Sequence, residues 1–128
     1  MRCLDSTFLI DAAKGRPNAE AKAKALVAAG ERLALPAPVL AEVMVGAHYR
    51  GGTYHRRMVE FLGNIEVLET TADIAMEAGE IGAELMKRGY AAGTVDLIVA
   101  ATAKRNAAIL LTRDTAFANM PGLAVENY

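Results

Sequence analysis

The nine residues VDLIVAATA, at positions 95–103, constrain the fold most strongly, because they are apolar around nearly the whole circumference of a helix. This pattern predicts a helix that is buried on every side. Thr94 precedes the segment as a candidate N-cap and basic residues follow it, so both ends complement the helix dipole. The only charged side chain within the segment is Asp96, in the predicted first turn. We therefore expect a buried helix that presents one acid at its N-terminal end.

A short apolar run, ILL at positions 109–111, follows this helix and leads to Asp114. An unbroken run of this kind is typical of a strand that is covered on both faces. The N-terminal run at positions 1–4 leads in the same way into Asp5. Strands that alternate with helices form parallel sheets, and their carboxyl ends meet at one edge. We therefore expect Asp5, Asp96 and Asp114 to meet at that edge.

The same alternation extends along the whole chain and predicts an α/β fold, in which helices flank a central, mostly parallel sheet. Ser6 or Thr7 is the candidate cap of the first helix. The predicted helices span residues 7–15, 17–30, 38–50, 53–62, 71–88 and 95–103, and the predicted strands span residues 1–4, 32–36, 65–69, 109–111 and 123–127.

Composition bounds the class of protein. With 128 residues, of which 53% are hydrophobic, the chain suits one compact domain, which we expect to span residues 1–128. Fourteen basic and fifteen acidic residues give a net charge of -1, so binding of a polyanion must depend on a local cluster. The single cysteine, Cys3, excludes an internal disulfide, fits a reducing compartment and is interpreted as a small buried residue. Without a signal peptide pattern or a membrane-length apolar stretch, we expect a cytoplasmic protein.

Several acids at one edge of a sheet repel each other, so a proton or a cation is needed to offset their negative charge. Two carboxylates about 4 Å apart repel each other by roughly 4 kcal/mol at the effective dielectric of a protein surface, which favours protonation unless a cation is bound. Carboxylates and waters suit Mg²⁺ or Mn²⁺, whereas Zn²⁺ favours histidine and cysteine, and His48 and His55 lack a zinc-binding context. A bound cation of this kind can activate water for attack on a phosphodiester, as in metal-dependent nucleases.

Four short motifs carry a family resemblance: LDST at 4–7, LAEVMVG at 40–46, DLIVAATA at 96–103 and TRDTAF at 112–117. Together they resemble the four acidic motifs of PIN domains. Their order and spacing are similar to those of the small VapC-type toxins of bacterial and archaeal toxin–antitoxin pairs. The resemblance covers nearly the whole chain and implies a three-layer PIN-like domain.

Residue by residue, the resemblance implies a set of catalytic, metal-binding acids: Asp5, Glu42, Asp96 and Asp114. Ser6 and Thr112 would be polar neighbours that hold these carboxylates or a metal-bound water. The family further implies a Mg²⁺- or Mn²⁺-dependent endoribonuclease that cleaves structured cellular RNA, forms a homodimer and is inhibited by a small VapB-type antitoxin. Asp114 is the weakest match, because the last acid is not an aspartate in every family member.

Each acid also has an ordinary structural interpretation. Asp96 fits an acid in the first turn of a helix, where the dipole stabilises it by about 0.3 to 1 kcal/mol, and Asp5 fits a helix cap. Helical periodicity turns Glu42 toward solvent, so only the resemblance makes it a ligand. Asp11, which also lies in the first helix, is interpreted as solvated or satisfied within that helix and is left outside the site.

Arg113, next to Asp114, is the basic residue best placed to contact an RNA phosphate. Charged faces of helices are usually just solvated, so the other basic residues have that alternative. These remaining candidates are Arg50, Arg56, Arg57, Lys104 and Arg105.

Two other classes of protein fit parts of the pattern. A signalling receiver domain has a similar length and an acidic Mg²⁺ pocket, but it needs an acidic pair after the first strand, and here that strand leads only to Asp5. A catalytically silent PIN-like module that binds RNA or protein would share the fold, although the full set of acids argues against it. Metal-dependent cleavage of RNA distinguishes the nuclease from both.

Overall fold

A five-stranded sheet forms the centre of the protein in a computed structural model that describes all residues, 1–128. The strands are β1 (Arg2–Leu4), β2 (Leu33–Pro36), β3 (Glu66–Leu68), β4 (Ile109–Leu111) and β5 (Val125–Glu126). They lie in the order β3-β2-β1-β4-β5, and every neighbouring pair is parallel. The predicted α/β class is confirmed, with a sheet that is parallel throughout.

Six α-helices connect the strands and flank the sheet. They are α1 (Ser6–Ala13), α2 (Pro17–Ala28), α3 (Ala37–Arg50), α4 (Gly52–Leu62), α5 (Ala72–Lys87) and α6 (Thr94–Arg105). A 3-10 helix over Thr115–Asn119 lies between β4 and β5. None of the helices combines the length and the apolar character that are needed to cross a membrane.

Strands β1 and β4 lie inside the sheet, where each, like β2, is paired on both sides. The register places Cys3 beside Leu110 and Leu4 beside Leu111, and all four residues are fully buried. Burial, with a smaller contribution from the charge of Asp5, raises the pKa of the Cys3 thiol to about 12. Cys3 therefore behaves as the small buried residue that the sequence indicates.

Helix α6 is fully buried only over its second half. Residues 99–103 are buried, whereas Val95 in the first turn is 45% exposed. The prediction of a helix buried on every side is wrong for this turn, because it lies at the edge of the sheet, close enough to Asp5 for the two acids to interact. The predicted cap at Thr94 is also wrong: Gly93 occupies the N-cap in an extended conformation, and Thr94 is already helical.

Helix α5 begins at a side-chain cap. The hydroxyl of Thr71 accepts a hydrogen bond from the backbone N–H of Ile74 at 3.2 Å, and Ile74 is buried in the core. We expect Thr71→Ala to lower the free energy of unfolding by about 1 kcal/mol, because the variant leaves this N–H without its partner. Urea denaturation measures the change, and Thr71→Ser, which keeps the hydroxyl, is the control. An unchanged unfolding midpoint in the alanine variant would contradict a stabilising role for the cap.

Candidate metal centre

The carboxyl edge of the sheet brings sequence-predicted acids together at the switch in strand order. Strands β2 and β3 lie on one side of β1, and β4 and β5 lie on the other, so the switch falls between β1 and β4. Asp5 directly follows β1, Asp114 lies shortly after β4, and Asp96 lies in the first turn of α6. In open α/β sheets, ligands bind at this edge, beside the switch. The arrangement therefore places three of the four predicted acids in the usual position of an active site.

Asp5 is buried and held by hydroxyl groups. Thr112 donates a hydrogen bond to its Oδ2 atom at 2.7 Å, and Thr7 donates to the same atom at 3.2 Å. The Thr112 hydroxyl accepts in turn from the backbone N–H of Asp114 at 3.0 Å. Although Asp5 occupies the N-cap of α1, its side chain makes no capping hydrogen bond. The carboxylate is thus fixed through Oδ2, which leaves Oδ1 for another ligand.

The predicted polar neighbours of Asp5 differ in their contacts. Thr112 makes the expected hydrogen bond, but Ser6 is the first residue of α1, and the hydroxyl that reaches Asp5 from this segment belongs to Thr7. Neither Ser6 nor Thr7 is the N-cap that the sequence predicted, because Asp5 occupies that position. Sequence reasoning missed the contact of Thr7 with Asp5. Its only signal is a hydroxyl two residues after the acid, which is a common spacing in loops.

Asp96 is half-buried, and its pKa is raised above the ordinary value of an aspartate. Burial is the largest cause, followed by the negative charges of Asp5, Asp114 and Glu42. The carboxyl group of Asp96 therefore lies within electrostatic reach of the other three predicted acids. A carboxyl group in such an environment favours a proton or a bound cation.

Close packing of α5 against α6 positions the first turn that carries Asp96. A Cβ atom at Gly82 would lie 2.8 Å from Cδ1 of Leu97, which is shorter than real Cβ contacts allow. Glycine at this position therefore leaves room for the side chain of Leu97. The residue next to Asp96 is thereby held against the neighbouring helix.

Glu42 and Asp114 are held less firmly than Asp5. Glu42 is exposed on α3, as helical periodicity predicts, while Val39 and Val43 of the same helix are buried. Oδ1 of Asp114 accepts a hydrogen bond from the backbone N–H of Ala116 at 2.9 Å and so caps the 3-10 helix. Asp114 thus has a structural role in addition to its place beside Asp5.

The donor chemistry of this edge fits a hydrated divalent cation. No group of three or more histidine, cysteine, aspartate or glutamate side chains is arranged to hold a metal ion directly. Mg²⁺, however, keeps several waters and is usually bound through only one or two carboxylates, and Asp5 and Asp96 supply that number. Burial and the charges of three neighbouring acids raise the pKa of Asp96, and a bound cation would offset both effects. The four acids include no nitrogen or sulfur ligand of the kind that Zn²⁺ favours.

Asp11 is buried and its partners lie outside α1, so its interpretation as solvated or satisfied within that helix is wrong. Only 2% of it is exposed, and its carboxylate is bound by Arg113, Arg16 and Tyr128. Burial by itself raises the pKa of Asp11, but the hydrogen bonds and positive charges of these partners outweigh it, so the pKa is lowered. The available signal was its spacing three residues after buried Phe8, which places both on one face of α1.

The basic residues differ in how far they are already engaged. Lys104 and Arg105 lie 3.7 and 3.5 Å from the carboxylate of Glu77. The guanidinium of Arg50 lies over the ring of Tyr54, 4.4 Å from its centroid. Arg56 and Arg57 are exposed on α4. The side chain of Arg113 is 55% exposed and directly precedes Asp114, so it remains the basic residue best placed beside the acids.

Fold and acidic edge together define an α/β domain of the PIN type, and residues 2–123 match the PIN domain family. The chain belongs to this family. Ribonuclease VapC2 of Rickettsia felis is 27% identical in an alignment that covers 98% of this chain and 96% of that protein. The crystal structure of VapBC2 from Rickettsia felis, bound to a DNA fragment from their promoter, has a TM-score of 0.87 at 25% identity and covers 99% of this chain and 98% of that one. A toxin-antitoxin complex from Klebsiella pneumoniae has a TM-score of 0.77 at 28% identity, with coverage of 97% and 96%.

Proposed function

We propose that this PIN domain is a Mg²⁺- or Mn²⁺-dependent endoribonuclease and acts as the VapC-type toxin of a toxin–antitoxin pair. Its substrate class is structured cellular RNA, and its site of action is the cytoplasm. The observation that supports the proposal best is the convergence of acids at the switch in strand order, in a chain similar to Ribonuclease VapC2 along nearly its whole length. The proposed catalytic and metal-binding acids are Asp5, Glu42, Asp96 and Asp114.

The side chains of the proposed site have different roles. Asp5 presents Oδ1 from a fixed position, because Thr112 and Thr7 hold its other oxygen. Asp96 contributes a carboxylate whose charge is unbalanced, while Glu42 and Asp114 add negative charge around it. A bound cation would supply Lewis-acid stabilisation of the phosphodiester and lower the pKa of a coordinated water. In this proposal, the acids position that water and no side chain acts as a nucleophile.

Two protein partners follow from the same proposal. The similar structures from Rickettsia felis and Klebsiella pneumoniae are VapBC and toxin–antitoxin complexes, which supports a VapB-type antitoxin as the inhibitor of this chain. Helix α3 presents Val45 and Tyr49, which are 72% and 91% exposed and four residues apart on one face. This apolar surface supports a homodimer.

Cleavage of total cellular RNA by the purified chain tests the nuclease. We expect discrete fragments with Mg²⁺ or Mn²⁺ and none with EDTA, because removal of the cation leaves the water unactivated and the acids repulsive to phosphate. Addition of Mg²⁺ in excess of EDTA should restore cleavage. Gel electrophoresis measures the fragments, and circular dichroism in EDTA shows whether the chain stays folded.

Two results would count against this function. Cleavage that EDTA leaves unchanged would exclude the proposed metal dependence. No cleavage with either metal, from folded protein that is free of antitoxin, would favour the catalytically silent PIN-like module that binds RNA or protein.

A further inference from the structure

The carboxylate of Asp11 holds two arginines side by side. Nε of Arg113 donates a hydrogen bond to Oδ2 at 2.7 Å, and Nε of Arg16 lies 3.2 Å from Oδ1. The hydroxyl of Tyr128 donates to Oδ2 at 2.7 Å, while its ring packs edge-on against Phe8 with centroids 5.0 Å apart. A nearly inaccessible acid thus fixes two guanidinium groups that come from distant parts of the chain.

Both guanidinium groups reach the surface. The side chains of Arg16 and Arg113 are 57% and 55% exposed, whereas that of Asp11 is 3% exposed. Two positive charges face one negative charge, so the group has a net charge of +1. Asp11 engages Nε of each arginine and, at 3.4 Å, Nη2 of Arg113. Tyr128 also hydrogen-bonds the side chain of Arg113. A guanidinium group carries several N–H donors, so both arginines retain donors beyond these contacts, and paired guanidinium groups of this kind suit a phosphate.

Of the two arginines, Arg113 lies beside the acidic edge. Arg113 is between Thr112, which holds Asp5, and Asp114, and its backbone N–H donates to Thr7 at 3.4 Å. A chain whose phosphodiester lay at the acids would therefore have its neighbouring phosphates close to Arg113.

We propose that Asp11 is a positioning residue that holds Arg113 and Arg16 as a phosphate clamp, which binds the RNA backbone next to the bond that is cut. This clamp rests on the proposed nuclease function, and its ligand is the phosphodiester backbone of RNA. Asp11 acts through the arginines and touches no substrate. The clamp supplies binding that is independent of base sequence.

Charge alone and positioning predict opposite effects for Asp11→Asn. The substitution removes a negative charge near the RNA, so a purely electrostatic role predicts tighter binding. The clamp predicts weaker binding, because the arginines lose the carboxylate that orders them. The matched control is Glu66→Gln, which removes the carboxylate that pairs with Arg32 just before β2, at the opposite edge of the sheet.

The first measurement is binding of a fluorescently labelled oligouridylate in EDTA, where cleavage does not interfere, over a series of salt concentrations. The binding constant falls as salt rises, and loss of one phosphate contact makes the slope of log K against log salt less negative by about 0.7 for a single strand. We expect this weaker salt dependence for Arg113→Gln and Arg16→Gln, and an unchanged slope for Arg32→Gln. Arg113→Lys keeps the charge but loses the planar fork, so it should bind more weakly than the wild type. This exposed substitution also tests the clamp if Asp11→Asn fails to fold.

The second measurement is the kinetics of cleavage of the same RNA with Mg²⁺. Loss of the clamp should raise KM several-fold and change kcat little, because binding remote from the reacting bond is lost. Equal binding by wild type, Arg113→Lys and Arg113→Gln would overturn the clamp, as would tighter binding by folded Asp11→Asn. A fall in kcat at constant KM would also overturn it. If the wild type binds RNA through these arginines but never cleaves it, the proposed nuclease function is wrong, while the binding of phosphate by the arginines is retained.

Discussion

Asp96→Asn is expected to abolish cleavage of RNA and to relieve the growth arrest that the chain would cause when it is expressed without an antitoxin. Changes to residues that merely support metal ligands typically cost about 10- to 100-fold in activity or metal affinity. A carboxylate that binds the ion directly should therefore contribute more than about 100-fold. Asparagine keeps the shape of the side chain and removes its charge. Gel-based cleavage assays and colony counts measure the two effects.

The same substitution should stabilise the metal-free protein at neutral pH. Burial and three neighbouring acids raise the pKa of Asp96 in the folded chain. An acid of this kind does not affect stability below its ordinary pKa, and it destabilises the fold as the pH rises, because the unfolded chain ionises more readily. Asp96→Asn removes this penalty. Its Tm in EDTA should exceed that of the wild type at pH 7, and the difference should vanish as the pH falls toward the ordinary pKa of aspartate.

Asp73→Asn is the matched control for both effects. Asp73 also lies in the first turn of a helix, α5, but it is exposed. The helix dipole stabilises an acid there, so its removal should slightly lower Tm and leave cleavage unchanged. Growth arrest that persists in Asp96→Asn, or a lower Tm of this variant in EDTA, would contradict the role given to Asp96.

Thr112→Val is expected to lower cleavage by about 10- to 100-fold, because the variant keeps the branched shape of the side chain but loses the hydroxyl that orients a metal-binding carboxylate. That hydroxyl donates to Asp5 at 2.7 Å and accepts from the N–H of Asp114 at 3.0 Å. The concentration of Mg²⁺ that gives half-maximal cleavage should rise, since Asp5 becomes less well ordered. Titration of Mg²⁺ in the cleavage assay measures this shift.

Thr112→Ser keeps the hydroxyl and should retain most of the activity. Thr112→Val should also lose about 1 to 3 kcal/mol of stability, because the buried carboxylate of Asp5 loses a hydrogen-bond donor, so urea denaturation has to show that it is folded at the assay temperature. Wild-type cleavage and Mg²⁺ dependence in the folded valine variant would show that the hydrogen bond to Asp5 has no part in catalysis.

The alternation of strands and helices was predictable because it depends on local patterns. The ILL run of β4 lies where the sequence places it, since a strand that is covered on both faces requires a continuous apolar run. The second half of α6 is buried as predicted, because it is apolar around nearly its whole circumference. The approach of Asp5, Asp96 and Asp114 to one edge was also predictable, because β1 and β4 are parallel and the helix that precedes β4 begins at the carboxyl edge. These predictions needed no knowledge of side-chain contacts.

Contacts between distant side chains were not predictable in the same way. The sequence indicates that Asp11 is solvated or satisfied within its helix, because helical periodicity alone does not show that Arg16, Arg113 and Tyr128 surround it. The contact of Thr7 with Asp5 was missed for a related reason: a single hydroxyl carries no periodic signal. The start of α6 was misplaced because Gly93 adopts the extended cap conformation one residue before Thr94.

Assembly of the site depends on residues that are synthesised long after Asp5. The hydrogen bond between Thr112 and Asp5 spans 107 positions, and β1 acquires β4 as its neighbour only after both have emerged from the ribosome. A nascent chain that stops before β4 therefore has Asp5 but lacks Thr112, Arg113 and Asp114. Contacts so far apart in sequence also form late in folding, because closure of a long loop costs entropy. Synthesis order thus delays any activity of this site until β4 and the residues that follow it have been made.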